Sequence, residues 1–225
     1  VETPDRDEEK EEEEIEYLSL IRVQVRAHRS HLIKAYVDTD IIINYCWVTF
    51  FSNQKSKTSK SVSLVNKGAM GLFDMHISFY TLMEVSSHFT NAFLQQKAIK
   101  NGYSYAESFR QKTAFDLDEK EQKTISELVE NLRNNPYLTY VDVEQMQDKF
   151  FPVIKQYLDG YIEFVDAYHL RTAIEVGCDY LVTKDAGFRR HAQILKSKGV
   201  IKEPINITSE SGFLNILRKK EKPAR

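Results

Sequence analysis

From residue 35 onward, short apolar runs alternate with longer stretches whose apolar residues recur at helical spacing. The runs predict strands at 35–38, 75–78, 137–141, 179–183 and 204–208. Helices are expected near 40–51, 79–99, 119–133, 145–158, 164–176, 186–197 and 211–219, with a further one near 103–115. In the second of these, Leu82, Val85, Phe89 and Ala92 form one apolar stripe, and Ser78 stands where a cap belongs. Gly177 suits the left-handed position that ends the helix containing Asp166. Strand–helix alternation of this kind argues for an α/β fold, a parallel sheet covered on both faces. No internal repeat is visible.

The segments outside this rhythm differ in character. Residues 1–16 hold ten acids and two bases, a local charge of −8, so the rest of the chain carries +6 within the overall −2. A run so acidic cannot bury apolar surface and reads as a disordered tail. It is either a solvated end or a competitor that folds over a basic groove. In 17–34, an N-terminal extension, Ile21, Val23, Val25 and Ala27 alternate with Arg22, Gln24 and Arg26. This stretch fits a half-buried strand or a basic helix. His28 and His31 form a pair with no further ligand nearby and read as solvated. Residues 52–63 are basic and serine-rich, the composition of a flexible loop between two helices. Residues 100–105 open an insertion of charged helices, and 218–225 form a basic tail.

Composition narrows the class. With 225 residues and 42% hydrophobic content, one α/β domain with decorations is expected, spanning 35–217. No apolar run approaches the roughly 20 residues of a membrane span, and no signal-peptide pattern is present, so no membrane partner is expected. Cys46 and Cys178 sit in apolar surroundings with neither disulfide nor zinc spacing, which points to a reducing, cytoplasmic setting.

Four acids stand where strands hand over to helices: Asp38, Glu84, Asp166 and Asp185. Each has an ordinary explanation. Asp38 and Asp40 suit helix caps, Asp166 a helix N-terminus, Asp185 a turn, and Glu84 a solvated face. Together they say more, because ligands of an open parallel sheet bind outside the carboxyl ends of its strands. Carboxylates gathered there repel one another, which raises some of their pKa values unless a cation is present. Asp142 also ends a strand, but an edge strand keeps it from the crevice. Oxygen ligands without His or Cys select hard cations, hence Mg²⁺ or Mn²⁺. Thr39 and Thr183 are placed to orient carboxylates or waters. His169, one turn after Asp166, reads as a packed or hydrogen-bonded histidine because no partner is evident. Arg189 and Arg190, with His191, are candidates for a phosphate backbone, as are Lys55, Lys57 and Lys60 in the loop.

These residues carry a resemblance. Val37-Asp38-Thr39-Asp40-Ile41-Ile42-Ile43 resembles the opening motif of PIN-domain nucleases, and Ser78-Phe79-Tyr80-Thr81-Leu82-Met83-Glu84-Val85 their second motif. Asp166-Ala167-Tyr168-His169-Leu170-Arg171-Thr172-Ala173, with Gly177 and the run from Asp179 to Phe188, resembles their C-terminal signature. The resemblance implies a three-layer α/β sandwich with a central five-stranded parallel sheet whose first strand is central. It also implies a metal-dependent endoribonuclease with one or two Mg²⁺ or Mn²⁺ ions. By position, Asp38, Glu84, Asp166 and Asp185 are then the catalytic and metal-binding quartet. Asn or Ser is commoner where Asp40 stands, so Asp40 is an added ligand, a water-mediated one or a cap. The loop at 52–63 and the insertion at 103–133 exceed the compact toxin members, which weighs against a toxin with an antitoxin-like protein partner. A homo-oligomer through the insertion or the last helix is compatible with the sequence.

Two other readings stand beside this one. Asp38-Thr39-Asp40-Ile41-Ile42 also resembles the opening of haloacid-dehalogenase-type phosphatases, although Thr183-Lys184-Asp185 supplies neither the lysine loop nor the late acid pair of that family. The other is a PIN-like RNA-binding or assembly module with an idle metal site.

Overall fold

The computed structural model describes residues 32–51, 59–141, 154–159 and 162–221. The chain runs β1 (Lys34–Val37), α1 (Thr39–Cys46), a π-helical turn (Trp47–Phe51), α2 (Lys60–Ala69), β2 (Asp74–Ser78) and α3 (Phe79–Lys100). It continues through α4 (Tyr105–Gln111), a 3₁₀ turn (Lys112–Ala114), α5 (Glu119–Arg133) and β3 (Leu138–Val141). After a helical turn at 154–158 come α6 (Phe164–Glu175), β4 (Tyr180–Val182), α7 (Ala186–Ser197), β5 (Asn206–Thr208) and α8 (Glu210–Glu221).

All five strands pair in parallel in the order β3-β2-β1-β4-β5, so β1 is central. Strand order reverses about β1, which opens a crevice beyond its carboxyl end. The pleat sends alternate side chains to opposite faces. Ala35 and Val37 pack under α1, α2, α3, α5 and α8 with Ile41, Leu64, Val85, Phe89, Leu128 and Phe213. Tyr36 faces the other way, toward α6 and α7 with Leu170, Ala173, Phe188 and Leu195. Both clusters are fully buried, giving the three-layer α/β sandwich.

Local chemistry sets the helix boundaries. Ser104 and Asp118 open α4 and α5 with capping boxes closed by Glu107 and Glu121. Lys97 bridges to Glu121 at 2.6 Å and so ties α3 to α5. Gly177, at φ +67°, ends the α6 segment as expected.

Five expectations need correction. The loop expected at 52–63 ends earlier: the Ser59 hydroxyl accepts from the Val62 amide at 3.1 Å and starts α2, so Lys60 lies in a helix. The helix expected over 40–51 changes from α to π geometry at Trp47. Asp40 is not the cap of α1; Asp38 is, accepting from the Thr39 amide at 2.8 Å, and Asp40 sits in the first turn. The extension assigned to 17–34 also gives up Lys34 to β1, and Arg218 to Glu221 of the expected basic tail belong to α8. The tail at 1–16, His28, His31, Lys55, Lys57, Asp142 and the first part of the helix expected at 145–158 lie outside the described residues.

Candidate active site

The backbone of the crevice is built first. The Asp38 amide donates to the Val182 carbonyl at 3.0 Å and the Thr183 amide to the Thr208 carbonyl at 3.0 Å, so the ends of β1, β4 and β5 are locked together. Beyond them lies a cleft of about 350 Å³ lined by Asp38, Thr39, Asp40, Glu84, Asp166, His169 and Asp185 on one side. Its lining continues along α3 with Ser87, His88 and Asn91 and includes Ile43 from α1. All four sequence-predicted acids, and Asp40, therefore meet in one cavity. Lys60, Lys184, Arg189 and Arg190 are not among its lining residues.

Each carboxylate has a distinct setting. Asp38 is buried, with one oxygen on the Thr39 amide and the other on the Thr183 hydroxyl at 2.5 Å. The same Thr183 hydroxyl accepts from the Asp185 amide at 3.0 Å and so links two acids of the ring. Asp185 caps α7 by accepting from the Phe188 amide at 2.9 Å. Arg189 donates to the Thr183 carbonyl at 2.8 Å, which fastens this turn from below. Glu84 accepts from the Thr39 hydroxyl at 2.6 Å and faces His169 Nε2 at 2.8 Å. Asp166 lies half-buried in the first turn of α6.

The electrostatics follow. Burial and the charges of Asp38 and Asp185 push the Asp166 carboxyl up to about 7. Burial likewise raises Asp38, against the pull of His169 and Thr183. Mutual repulsion does not raise every member, however. Burial works to raise Glu84, but the hydrogen bond and charge of His169 prevail, and Glu84 lies below the ordinary carboxylate range.

His169 is the residue whose role local sequence does not reveal. It is buried, its Nδ1 lies 2.7 Å from the Tyr36 hydroxyl, and that hydroxyl is 2.7 Å from Ser78 Oγ. Burial works to lower its pKa, but Glu84 and Asp38 raise it, which favours the imidazolium beside these two acids. With both ring nitrogens engaged, it orients Glu84 rather than exchanging protons with a ligand. Its spacing from Asp166 is a visible signal; its partners Tyr36 and Glu84, 133 and 85 residues away, are not.

Among the described residues, no three acidic, His or Cys side chains are drawn together closely enough to grip an ion as they stand. The donor type nonetheless fits a hard cation, and the crowding that raises Asp166 is of the kind a bound cation relieves. Among the described residues, no helix is long and apolar enough to cross a membrane.

Comparison with the curated proteins and with the solved structures gave no match. The family model described as PIN domain matches residues 35–194, from the first residues of β1 into α7, and so takes in the whole acidic ring. The match covers well over half of the sequence, and the chain belongs to the PIN-domain family.

Proposed function

We propose that this protein is a Mg²⁺- or Mn²⁺-dependent endoribonuclease whose reaction centre is the cleft ringed by Asp38, Glu84, Asp166 and Asp185. PIN domains are generally metal-dependent nucleases acting on RNA. The observation that carries the reading is the convergence of these acids, from three separate stretches of chain, in one cavity. The carboxylates of Asp38, Asp166 and Asp185, with Glu84, would hold the cation. Bound there, a divalent ion supplies Lewis acidity for the attacking water and the phosphodiester.

The remaining work belongs to side chains. Thr183 and the Thr39 amide fix both oxygens of Asp38 on the cleft floor. His169 and the Thr39 hydroxyl fix Glu84 and keep it ionised. Hydrolysis joins a water oxygen to phosphorus and breaks one P–O ester bond, with no covalent enzyme intermediate required. Arg190 is exposed outside the cleft, where it is suited to flanking phosphates rather than to the one cut.

The test is cleavage of a mixed single-stranded and structured RNA pool with Mn²⁺, with Mg²⁺ and with chelator, beside Asp38→Asn and Asp185→Asn. Metal-dependent cutting that both variants lose is the expected result. Absence of cutting under all conditions, with RNA still bound, overturns the reading in favour of an idle binding module.

A further inference from the structure

The cleft does not stop at the acids. From Glu84 it follows α3 through Ser87 and His88 to Asn91, about 10 Å along the helix axis. We infer that this second half is a subsite for one unstacked nucleotide of single-stranded RNA beside the bond that is cut, with Lys112 holding the phosphate at its far end. The inference rests on the ribonuclease reading above.

Charge is the first argument. A polyanion entering this cleft meets a ring of carboxylates, so it needs positive charge placed just beyond them. Lys112, in the 3₁₀ turn after α4, brings its ammonium to 2.6 Å from the Asn91 amide oxygen. The Asn91 amide nitrogen donates to the Ser87 carbonyl at 2.8 Å, which fixes that oxygen toward the lysine. Among the described residues, Lys112 is hydrogen-bonded to a neutral amide, so its charge stays available to a phosphate. Lys97, on α3, shows the contrast: its ammonium is neutralised by Glu121 and Asp118.

The walls between the acids and Lys112 suit a base. Trp47 donates its indole N–H to His88 Nε2 at 2.9 Å, which leaves Nδ1–H as the polar atom His88 offers. The same indole is 38% exposed and is backed by Phe89 and Phe51 at ring-centroid distances of 5.0 and 5.2 Å. Trp47 is not itself among the lining residues; the ring that lines the cleft is the His88 imidazole, held by that indole, and bases stack on aromatic rings with little regard to sequence. Ile43 adds an apolar side chain to the lining. A base stacked inside a duplex cannot enter such a concavity, so the subsite selects unpaired nucleotides.

Two measurements test this on the full chain. First, a cleavage-deficient Asp38→Asn protein is titrated with a fluorescein-labelled single-stranded RNA over a range of salt concentrations. Adding Lys112→Gln is expected to weaken binding several-fold and to shallow the log–log salt slope by about 0.7, the share of one phosphate contact on a single strand; Lys112→Arg restores both. Second, the active protein is mapped on RNAs randomised at the positions flanking the cut. His88→Ala and Asn91→Ala are expected to flatten base preference at one flanking position and leave the others unchanged. Unchanged affinity and slope in Lys112→Gln, or unchanged cutting preference in both other variants, overturns the subsite while leaving the nuclease reading intact. Lys112-dependent binding by a chain that cuts nothing supports the subsite and overturns the nuclease reading instead.

Discussion

The sheet carries acids at both ends, and the two ends treat them oppositely. At the amino ends of the strands, Asp74 accepts from His76 at 3.0 Å and from the Thr139 hydroxyl at 2.9 Å, while Asp179 accepts from the Lys34 amide at 2.9 Å. Each of these acids answers a donor on a neighbouring strand, Thr139 for Asp74 and Lys34 for Asp179, and together they staple β1 to β4 and β2 to β3. At the carboxyl ends, Asp38, Asp166 and Asp185 line one cleft, and burial together with the charges of Asp38 and Asp185 raises Asp166. Identical chemistry serves register at one end and leaves unbalanced charge at the other. The difference lies in the neighbours, and charge left unbalanced in a cleft is a mark of function.

The largest break in this comparison should come from Asp38→Asn. We predict a loss of metal-dependent RNA cleavage of at least about 100-fold, the order seen when a preorganised electrostatic group is removed. Asp179→Asn, at the opposite end and exposed, should leave kcat within about twofold. Equal losses in the two variants would contradict the division between the ends.

Asp74→Ala tests the structural end directly. Its removal strips an acceptor from buried His76 and from the Thr139 hydroxyl. Unsatisfied groups of this kind cost about 1–3 kcal/mol, which urea denaturation reads as a lower midpoint. Cleavage per folded molecule should be unchanged. Undiminished stability would mean that the pairs at this end do not hold the strands.

Asp166→Asn should act in the reverse sense. The folded protein holds this carboxyl near 7 against an ordinary 3.8, so its ionisation opposes folding. Below about pH 4 both states are protonated and the variant gains nothing. Between the two values the unfolded chain ionises first, and above about pH 7 the full penalty is present in the wild type. Because the group is only half-buried, solvent screening limits the gain to about 1 kcal/mol at pH 8 in chelator. Added Mg²⁺ or Mn²⁺ should stabilise the wild type more than the variant, by mass action on the folded state. Melting curves at pH 4 and pH 8, with and without metal, check both signs.

How far the sequence carries depends on the range of the interaction. Strands, most helices, the acidic ring and the Gly177 stop follow from local periodicity and turn chemistry, and the parallel sheet with β1 central agrees with the resemblance. The start of α2 was hidden because serines around Ser59 read equally as loop and as cap. Asp38 and Asp40 are both good caps, and only the extended backbone at Asp38 decides between them. The lowered pKa of Glu84 was illegible for a different reason: its cause, His169, lies 85 residues away. Lys112 was hidden likewise, since an insertion of charged helices gives no sign of which lysine folds back to the cleft.

Tyr36→Phe carries the smallest expected effect and bears most finely on the comparison. Tyr36 lies in the middle of β1, equidistant in sequence from the two kinds of end, yet its hydroxyl serves only the carboxyl side through His169 and Ser78. The ring and its packing remain in the variant, so stability should fall by only about 1 kcal/mol, the ordinary net worth of a buried hydrogen bond. His169 then loses the partner that fixes its ring, and Glu84 loses part of its orientation. Partners of this outer kind typically alter metal affinity about 10-fold, and Tyr36 stands one step further from the carboxylates, so a change of about threefold is expected. Titrating Mn²⁺ against melting temperature reads that shift separately from folding, because the stabilisation by metal is measured relative to each protein's own metal-free value. If the metal response is unchanged while stability falls, Tyr36 is core, and the polar chain behind Glu84 ends at His169.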